Sequence, residues 1–323
     1  MATTELIGVA GMTNELKTYY SKKLLDRLVP ALVHAEHGLQ EDLGPNEGKS
    51  IEKRRFESFA AATAALVEGT PPTSINGTVT ALTFTVSQYG AYMLVSDVMW
   101  QQGFDGVDDI VKAFGENAGN SIDINIREAL HTGLTTVIYA STAASRGGLA
   151  SGMRLTGLEV RKAVRKLRTN NAREFADGTY HAILHPDVET DLLADSNIQN
   201  IFQFTVPRGE NHPLLKGSVP QVYGVSFFRT SNARIWPTAG QSGTTATDVY
   251  GTLVFGEDSY LVSKFSLQNV RTIIKPPGSG GPIDALDQYG SIGWKASATA
   301  GILNQSLILR IESTSSFAAS GNG

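Results

Sequence analysis

The sequence predicts an α+β chain whose body carries a long projecting hairpin, and three observations support this. Two strand-like runs rich in charge and hydroxyls flank a long small-residue connection between Gly44 and Val98. One apolar stripe of helical period runs from about Val107 to His131. A helix, a strand and a second helix follow from Thr156 onward and lead into further strands, which gives a mixed rather than a strictly alternating order.

From Thr13 to Glu36, Leu16, Tyr20, Leu24, Leu28 and Leu32 recur every fourth residue, which predicts an amphipathic N-terminal arm interrupted near Pro30. His34 and His37, at the end of this arm, are expected to be solvated. Gly44-Pro45 marks entry into the hairpin. Its first arm places Ile51, Lys53 and Arg55 on one face and Ser50, Glu52, Arg54 and Phe56 on the other, so neither face suits a core strand. The return arm alternates, with Leu82, Phe84 and Val86 opposite Thr83, Thr85 and Ser87. Between the arms, Ala60 to Leu66 is alanine-rich enough for a short helical turn, which Gly69, Pro71 and Pro72 then stop.

Tyr89 to Trp100 is apolar and is expected against the body. Next comes the longest helix, with Val107, Ile110, Val111, Phe114, Ala118, Ile122, Ala129 and Leu130 on one stripe. Asp105, Asp108 and Asp109 stand at its positive end and Gly133 at its stop. Thr156 and Glu159 form a capping box ahead of a helix that buries Val160, Ala163, Val164 and Leu167. Tyr180 to His185 reads as a buried strand, and Pro186 opens another helix with acids in its first turn. Strands are expected over 221–229, 250–255, 270–274, 290–300 and 306–311.

Composition narrows the function. The chain has 323 residues, which allows roughly two domains, and it contains no cysteine, which removes disulfides and thiolate chemistry. A formal net charge of −4 argues against a dedicated nucleic-acid binder. No export signal and no apolar run of membrane-spanning length is visible. Gly44 to Ser50 imitates a phosphate-binding loop, but its glycines stand one residue too close and no helix follows. His181 and His185, with Asp187, Glu189 and Asp191 nearby, are the best candidate for a metal or hydrolytic site. Acids in a first helical turn already have an electrostatic reason, however, and no metal or other cofactor is expected. The basic run Arg161, Lys162, Arg165, Lys166 and Arg168 is left facing outward once the apolar stripe is buried. Nothing assembles an acid, a base and a nucleophile, so the chain is read as a non-enzyme.

The order of arm, hairpin, long helix, α/β unit and closing sheet resembles the major capsid proteins of tailed bacteriophages, with their Hong Kong 97-like fold. More specifically it resembles the capsid family typified by coliphage N-four. The resemblance is carried by Tyr19-Tyr20, Leu24-Leu25 and Pro30 to His34; by Gly48-Lys49 leading into Arg54-Arg55-Phe56; and by Leu66 to Thr70, Val86 to Gly90 and Ser96-Asp97. It continues in Phe175 to Tyr180, His185-Pro186, Gly290 to Lys295 and Ala300 to Ile302.

The resemblance implies an arm over 1–44, an extended loop over 45–97 and a peripheral domain with its spine helix over 98–155. An axial α/β domain over 156–262 and peripheral return strands with a tail over 263–323 complete the chain. It implies hexamers and pentamers closing into an icosahedral head around double-stranded DNA, assembled in the host bacterial cytoplasm. Portal, scaffolding and decoration proteins would be further partners, and no membrane is involved. The subunit interface is then expected at Lys49, Glu52, Lys53, Arg54, Arg55, Phe56, Glu68, Leu82, Phe84 and Val86. Two alternatives stay open at this point: an encapsulin-like nanocompartment shell on the same fold, and a hydrolase built on His181, His185 and Asp187.

Overall fold

The long apolar stripe folds as one uninterrupted helix, Gly106–Gly133, and the rest of the chain is organised along it. The computed structural model describes residues 33–41, 49–57, 59, 61–63, 65–102, 106–205, 219, 221–241, 247–263, 270–279 and 286–317. At ~1.5 Å of rise per residue the helix is about 40 Å long. Val111, Ala118, Ile122, Ile126 and Leu130 are buried on one side at spacings of four and seven, so the side of the helix that faces the core is the one the sequence marks. Most of the arm helix expected over Thr13–Glu36 lies outside the described residues. Its last turn, Val33–Glu36, is helical and packs on the spine.

The two halves of the spine serve two different sheets. The first half lies under an antiparallel sheet in which Tyr289–Ala298 is flanked by Val270–Lys275 and Ser87–Ser96. Val95, Ile274 and Ile292 meet Val111, Ile110 and Phe114 there, and Trp294 and Ala296 extend the contact towards Ala118. Ser87–Ser96, expected within the extended loop, is therefore a body strand that pairs along its whole length with Tyr289–Ala298.

The second half of the spine lies under a mixed axial sheet. Its order is Val137–Tyr139, Ile308–Ser313, Val249–Phe255, Tyr180–Leu184, Val225–Arg229 and Gln221–Val222, and Arg234–Trp236 also pairs with Val249–Phe255. Ile122, Ile126 and Leu130 pack against Ile183, Leu253, Phe255 and Ile308 on one face. The other face takes Val160 and Leu167 from the helix Gly157–Thr169, Val188 and Leu192 from Pro186–Leu193, and Ile198 and Phe202 from Ser196–Thr205. With both faces covered, every residue of Val249–Phe255 and Ile308–Ser313 is buried. Among the described residues of the stretch 263–323, Val270–Lys275 and Tyr289–Ala298 return to the peripheral sheet, whereas Ile308–Ser313 enters the axial sheet.

The capping box forms as expected. The Thr156 hydroxyl accepts from the Leu158 N–H at 3.4 Å, and the Thr156 N–H donates to Glu159 at 3.2 Å. A third, small sheet places Tyr260–Ser263 between Leu39–Glu41 and Ala300–Ile302. This small sheet forms the footing of the ribbon.

Candidate assembly surface

The ribbon is a two-stranded antiparallel ladder of Ser50–Phe56 and Val79–Thr85, with Ile51 opposite Phe84 and Lys53 opposite Leu82. At its root Val86 N–H donates to the Lys49 carbonyl at 2.9 Å, after which the chain leaves the ladder for the peripheral sheet. Ile51 is buried and Lys53, Arg55, Leu82, Phe84 and Val86 are half-buried, so one side of the root rests on the chain's own body. Part of the first arm is thus covered, contrary to the expectation that neither of its faces can be. The cover is the footing sheet. Lys53 Nζ meets Glu41 at 2.6 Å, Arg55 donates to the Leu303 carbonyl at 3.4 Å, and the Phe84 ring lies flush on Gly301. A Cβ at Gly301 would stand 2.2 Å from that ring, so only glycine fits beneath it.

Beyond the root nothing among the described residues covers the ribbon. The described residues from 57 to 78 are exposed and form neither helix nor strand, so the helical turn expected over Ala60 to Leu66 is absent among them. A short alanine-rich run has no tertiary surface to nucleate on at this distance from the body. Gly69, at φ 81°, allows the turn in which Thr70 N–H bonds the Val67 carbonyl. Phe56, Phe59, Leu66, Val67 and Ile75 are each more than half exposed, an apolar load that a free subunit rarely shows to water. The charges on the ribbon pair along it: Arg54 with Glu52 at 2.9 Å and Arg55 with Glu57 at 3.0 Å. Hydrogen bonds from Arg55 and Thr80 hold the Glu57 carboxyl below its ordinary pKa. Lys49 and Glu68 are exposed, at the root and the tip.

A second unpartnered surface lies on the outer face of the peripheral sheet. Gly90 and Gly293 are near neighbours on its floor, where a Cβ would meet backbone at 2.6 Å and 2.8 Å, and they leave a trough of about 590 Å³. Tyr92, Leu94 and Ile273 give its apolar walls, and Lys275 and Lys295 give its charge. Nothing in the sequence marks these glycines and lysines as one surface; the pairing of two strands distant in the chain brings them together.

The residues proposed for chemistry do not form one site: His185 and Asp187 come together, with Nδ1 3.2 Å from Oδ2, but His181 stands with other partners. His181 stacks on Phe175 at 3.8 Å and meets Asp177 at 3.1 Å, whereas His185 caps the helix Pro186–Leu193 by accepting from the Asp187 N–H at 3.2 Å. Asp187 is taken by the Tyr250 hydroxyl at 2.8 Å, Glu189 by the Val219 N–H at 2.9 Å, and Asp191 by Ser316. No group of three potential metal ligands occurs among the described residues. Of the loop Gly44–Ser50, only Lys49 and Ser50 are described, and they enter a strand rather than a helix. His34 and His37 are not solvated as expected. His34 is sealed against Asp123, and His37 packs among His181, Phe228 and Phe255, because the last turn of the arm is pressed onto the spine and the axial sheet.

A family profile described as phage capsid protein matches residues 78–304. No curated protein matches the chain. Among solved structures, the capsid of cyanophage Pam1 is similar with a TM-score of 0.63 at 15% identity, over 91% of this chain and 93% of that one. The capsid of cyanophage P-SCSP1u is similar with a TM-score of 0.62 at 14% identity, over 87% and 88%. The acid-stable capsid of Helicobacter pylori bacteriophage KHP30 gives 0.63 at 9% identity, over 85% and 87%. At such identities the likeness speaks to fold, and the family match speaks to kind. The chain's partners are copies of itself and its place is the virion capsid. It belongs to the phage capsid protein family and is a major capsid protein with the Hong Kong 97-like fold.

Proposed function

We propose that the chain closes, as hexamers and pentamers, into an icosahedral head around double-stranded DNA, and that the ribbon of each subunit lies across its neighbour. The observation that carries this reading is the bare ribbon beyond Phe56, whose apolar side chains have no cover among the described residues. The trough on the peripheral sheet is a suitable receiver. Phe56, Phe59, Leu66 and Val67 would enter its apolar walls, and Glu68 would approach Lys275 or Lys295. Lys49, Glu52 and Arg54, exposed on the ribbon's outer side, would set the rim of that contact, while Lys53, Arg55, Leu82, Phe84 and Val86 fix the angle at which the ribbon leaves the body. Each contact is modest, but a closed shell repeats it many times, so the sum is large. Portal, scaffolding and decoration proteins belong to the same reading, as does assembly in the host cytoplasm. No observation favours a nanocompartment shell, and a hydrolase is not favoured because His181 pairs with Asp177 and not with His185 and Asp187.

The test is to replace residues 58–77 by an Asn-Gly turn, because Glu57 N–H already bonds the Thr78 carbonyl across that point. Folded subunits that no longer form closed particles by negative-stain microscopy are the expected result. Normal shells from this variant would end the reading.

A further inference from the structure

The helix Gly157–Thr169 buries Val160, Ala163, Val164 and Leu167 and turns its cations the other way. Arg161, Arg165, Lys166 and Arg168 are exposed and Lys162 is half-buried beside them. Arg161, Lys162, Arg165 and Arg168 line a groove of about 650 Å³ together with Leu158, Thr169 and Tyr223, and Lys166 is exposed on the same helix. Tyr223 is firmly set. Its φ is 53°, its ring approaches Gly157 so closely that a Cβ there would stand 2.8 Å away, and the Arg161 guanidinium lies 5.7 Å over it.

The nearby acids are already committed. Glu159 serves the helix cap and meets Lys162 at 3.7 Å, and Glu174 meets Arg168 at 3.2 Å. Among the described residues, Arg161, Arg165 and Lys166 have no carboxylate within ion-pair distance. Like charges at helical spacing repel, so the face holds cations that an external anion would relieve.

We infer that this groove binds the phosphodiester backbone of double-stranded DNA. From Arg161 to Arg168 the helix advances about 10 Å at ~1.5 Å per residue, which faces about three phosphates of one strand at 3.4 Å of rise each. The contacts are to backbone, so binding is independent of base sequence. An acidic segment of a second copy is a poorer match, because nowhere in the sequence do more than two acids stand together. The net charge of −4 belongs to the whole chain, whereas this face is locally cationic. The inference rests on the charge of one helix and not on how the shell closes, so it stands or falls apart from the proposed assembly.

The experiment measures binding of the full chain to a labelled duplex of about 20 base pairs by fluorescence anisotropy, between about 50 and 200 mM salt. It compares the wild type with Arg161→Gln/Arg165→Gln/Lys166→Gln, with Arg161→Lys/Arg165→Lys, and with the control Arg229→Gln/Arg271→Gln, two exposed arginines that line neither the groove nor the trough. The expected result is at least a tenfold loss of affinity for the triple glutamine variant, with the slope of log affinity against log salt reduced in magnitude by about 2 to 3. The lysine variant should keep the slope, and the control should keep both. Unchanged binding by the triple variant, or an equal loss in the control, would overturn the inference. So would intact DNA binding combined with loss of closed particles, which would make the groove a contact between copies. Particle closure, scored separately by microscopy, reports on the ribbon.

Discussion

Asp123, wholly buried on the spine helix, accepts hydrogen bonds at 2.9 Å from both the backbone N–H and the ring Nδ1 of His34. Asn232 donates to its other oxygen at 3.2 Å, so one carboxylate joins the arm, the spine and the axial domain. Burial alone would raise its pKa, but the bonds from His34 and Asn232 outweigh this and hold it below the usual carboxylate range.

Asp123→Ala should therefore destabilise the subunit by about 3–5 kcal/mol, because it leaves the His34 donors unpaired in a sealed site. Denaturant unfolding measures the loss, and exchange of the His34 amide should rise along with it. The sign with pH follows from the depressed pKa. The stability contributed by Asp123 is complete above the unfolded value of 3.8 and is lost as pH falls below it, through the folded value.

His37 adds a requirement of the same sign at milder acidity. Burial, and next the neighbouring His181, push its pKa down to about 4 from 6.5. The unfolded chain then binds a proton between these values that the folded chain refuses, so stability falls as pH drops from about 6.5 towards about 4. His37→Phe, in a site already walled by Phe228 and Phe255, should flatten that part of the melting-temperature profile and leave neutral pH nearly unchanged. An unaltered slope would show that His185 and His131, whose pKa values burial also lowers, carry the effect instead.

Much of the fold can be read from local pattern. The spine is marked by its apolar stripe, the basic helix by its capping box, and the ribbon by two runs that never offer a continuous core face. The sequence is silent where partners lie far apart. Ser87–Ser96 pairs with Tyr289–Ala298, and Ile308–Ser313 inserts beside Val249–Phe255; no periodicity within one segment encodes which distant strand it will meet. The trough on the peripheral sheet is invisible for the same reason, since its floor is Gly90 beside Gly293. Asp123 left a faint trace: it sits between Ile122 and Ile126, inside the apolar stripe, where an acid needs a buried partner. Nothing in the local pattern around His34 marks it as that partner.

Glu312 is the buried acid of the axial sheet. It is bound by Arg146 through two nitrogens at 2.8 Å and 2.6 Å, with the Arg310 Nε 2.7 Å away, while Arg146 also covers Trp236 at 3.8 Å. The bonds to Glu312 raise the Arg146 pKa. Glu312→Gln leaves two guanidinium groups facing each other, and a loss of about 3–5 kcal/mol is expected. Arg146→Lys keeps charge but loses the fork and the cover over Trp236, so a smaller loss of about 1.5–3 kcal/mol should appear in the same unfolding assay.

Tyr92 separates folding from assembly. Its side chain stands in the trough, 74% exposed and without a role in the peripheral core. Tyr92→Asp should change subunit stability by no more than ~0.5 kcal/mol and still lower the yield of closed particles sharply. A variant that assembles like the wild type would place the ribbon's seat elsewhere.

Gly301 and Phe84 test how the ribbon is aimed. A methyl group at Gly301 cannot coexist with the ring above it, yet Phe84 is only half-buried and can swing outward. Gly301→Ala should therefore cost about 1–3 kcal/mol, the usual range for overpacking, but should misdirect the ribbon and depress particle yield. Phe84→Leu removes the flat ring and should by itself weaken the footing slightly. The double variant should recover part of the yield lost by Gly301→Ala, because the smaller side chain makes room for the new methyl. Coupling between the two sites, read from a double-mutant cycle on both unfolding and particle yield, is the expected signature. If the effects simply add, the ring does not set the ribbon's angle, and the Lys53–Glu41 pair beside it becomes the next residue pair to break.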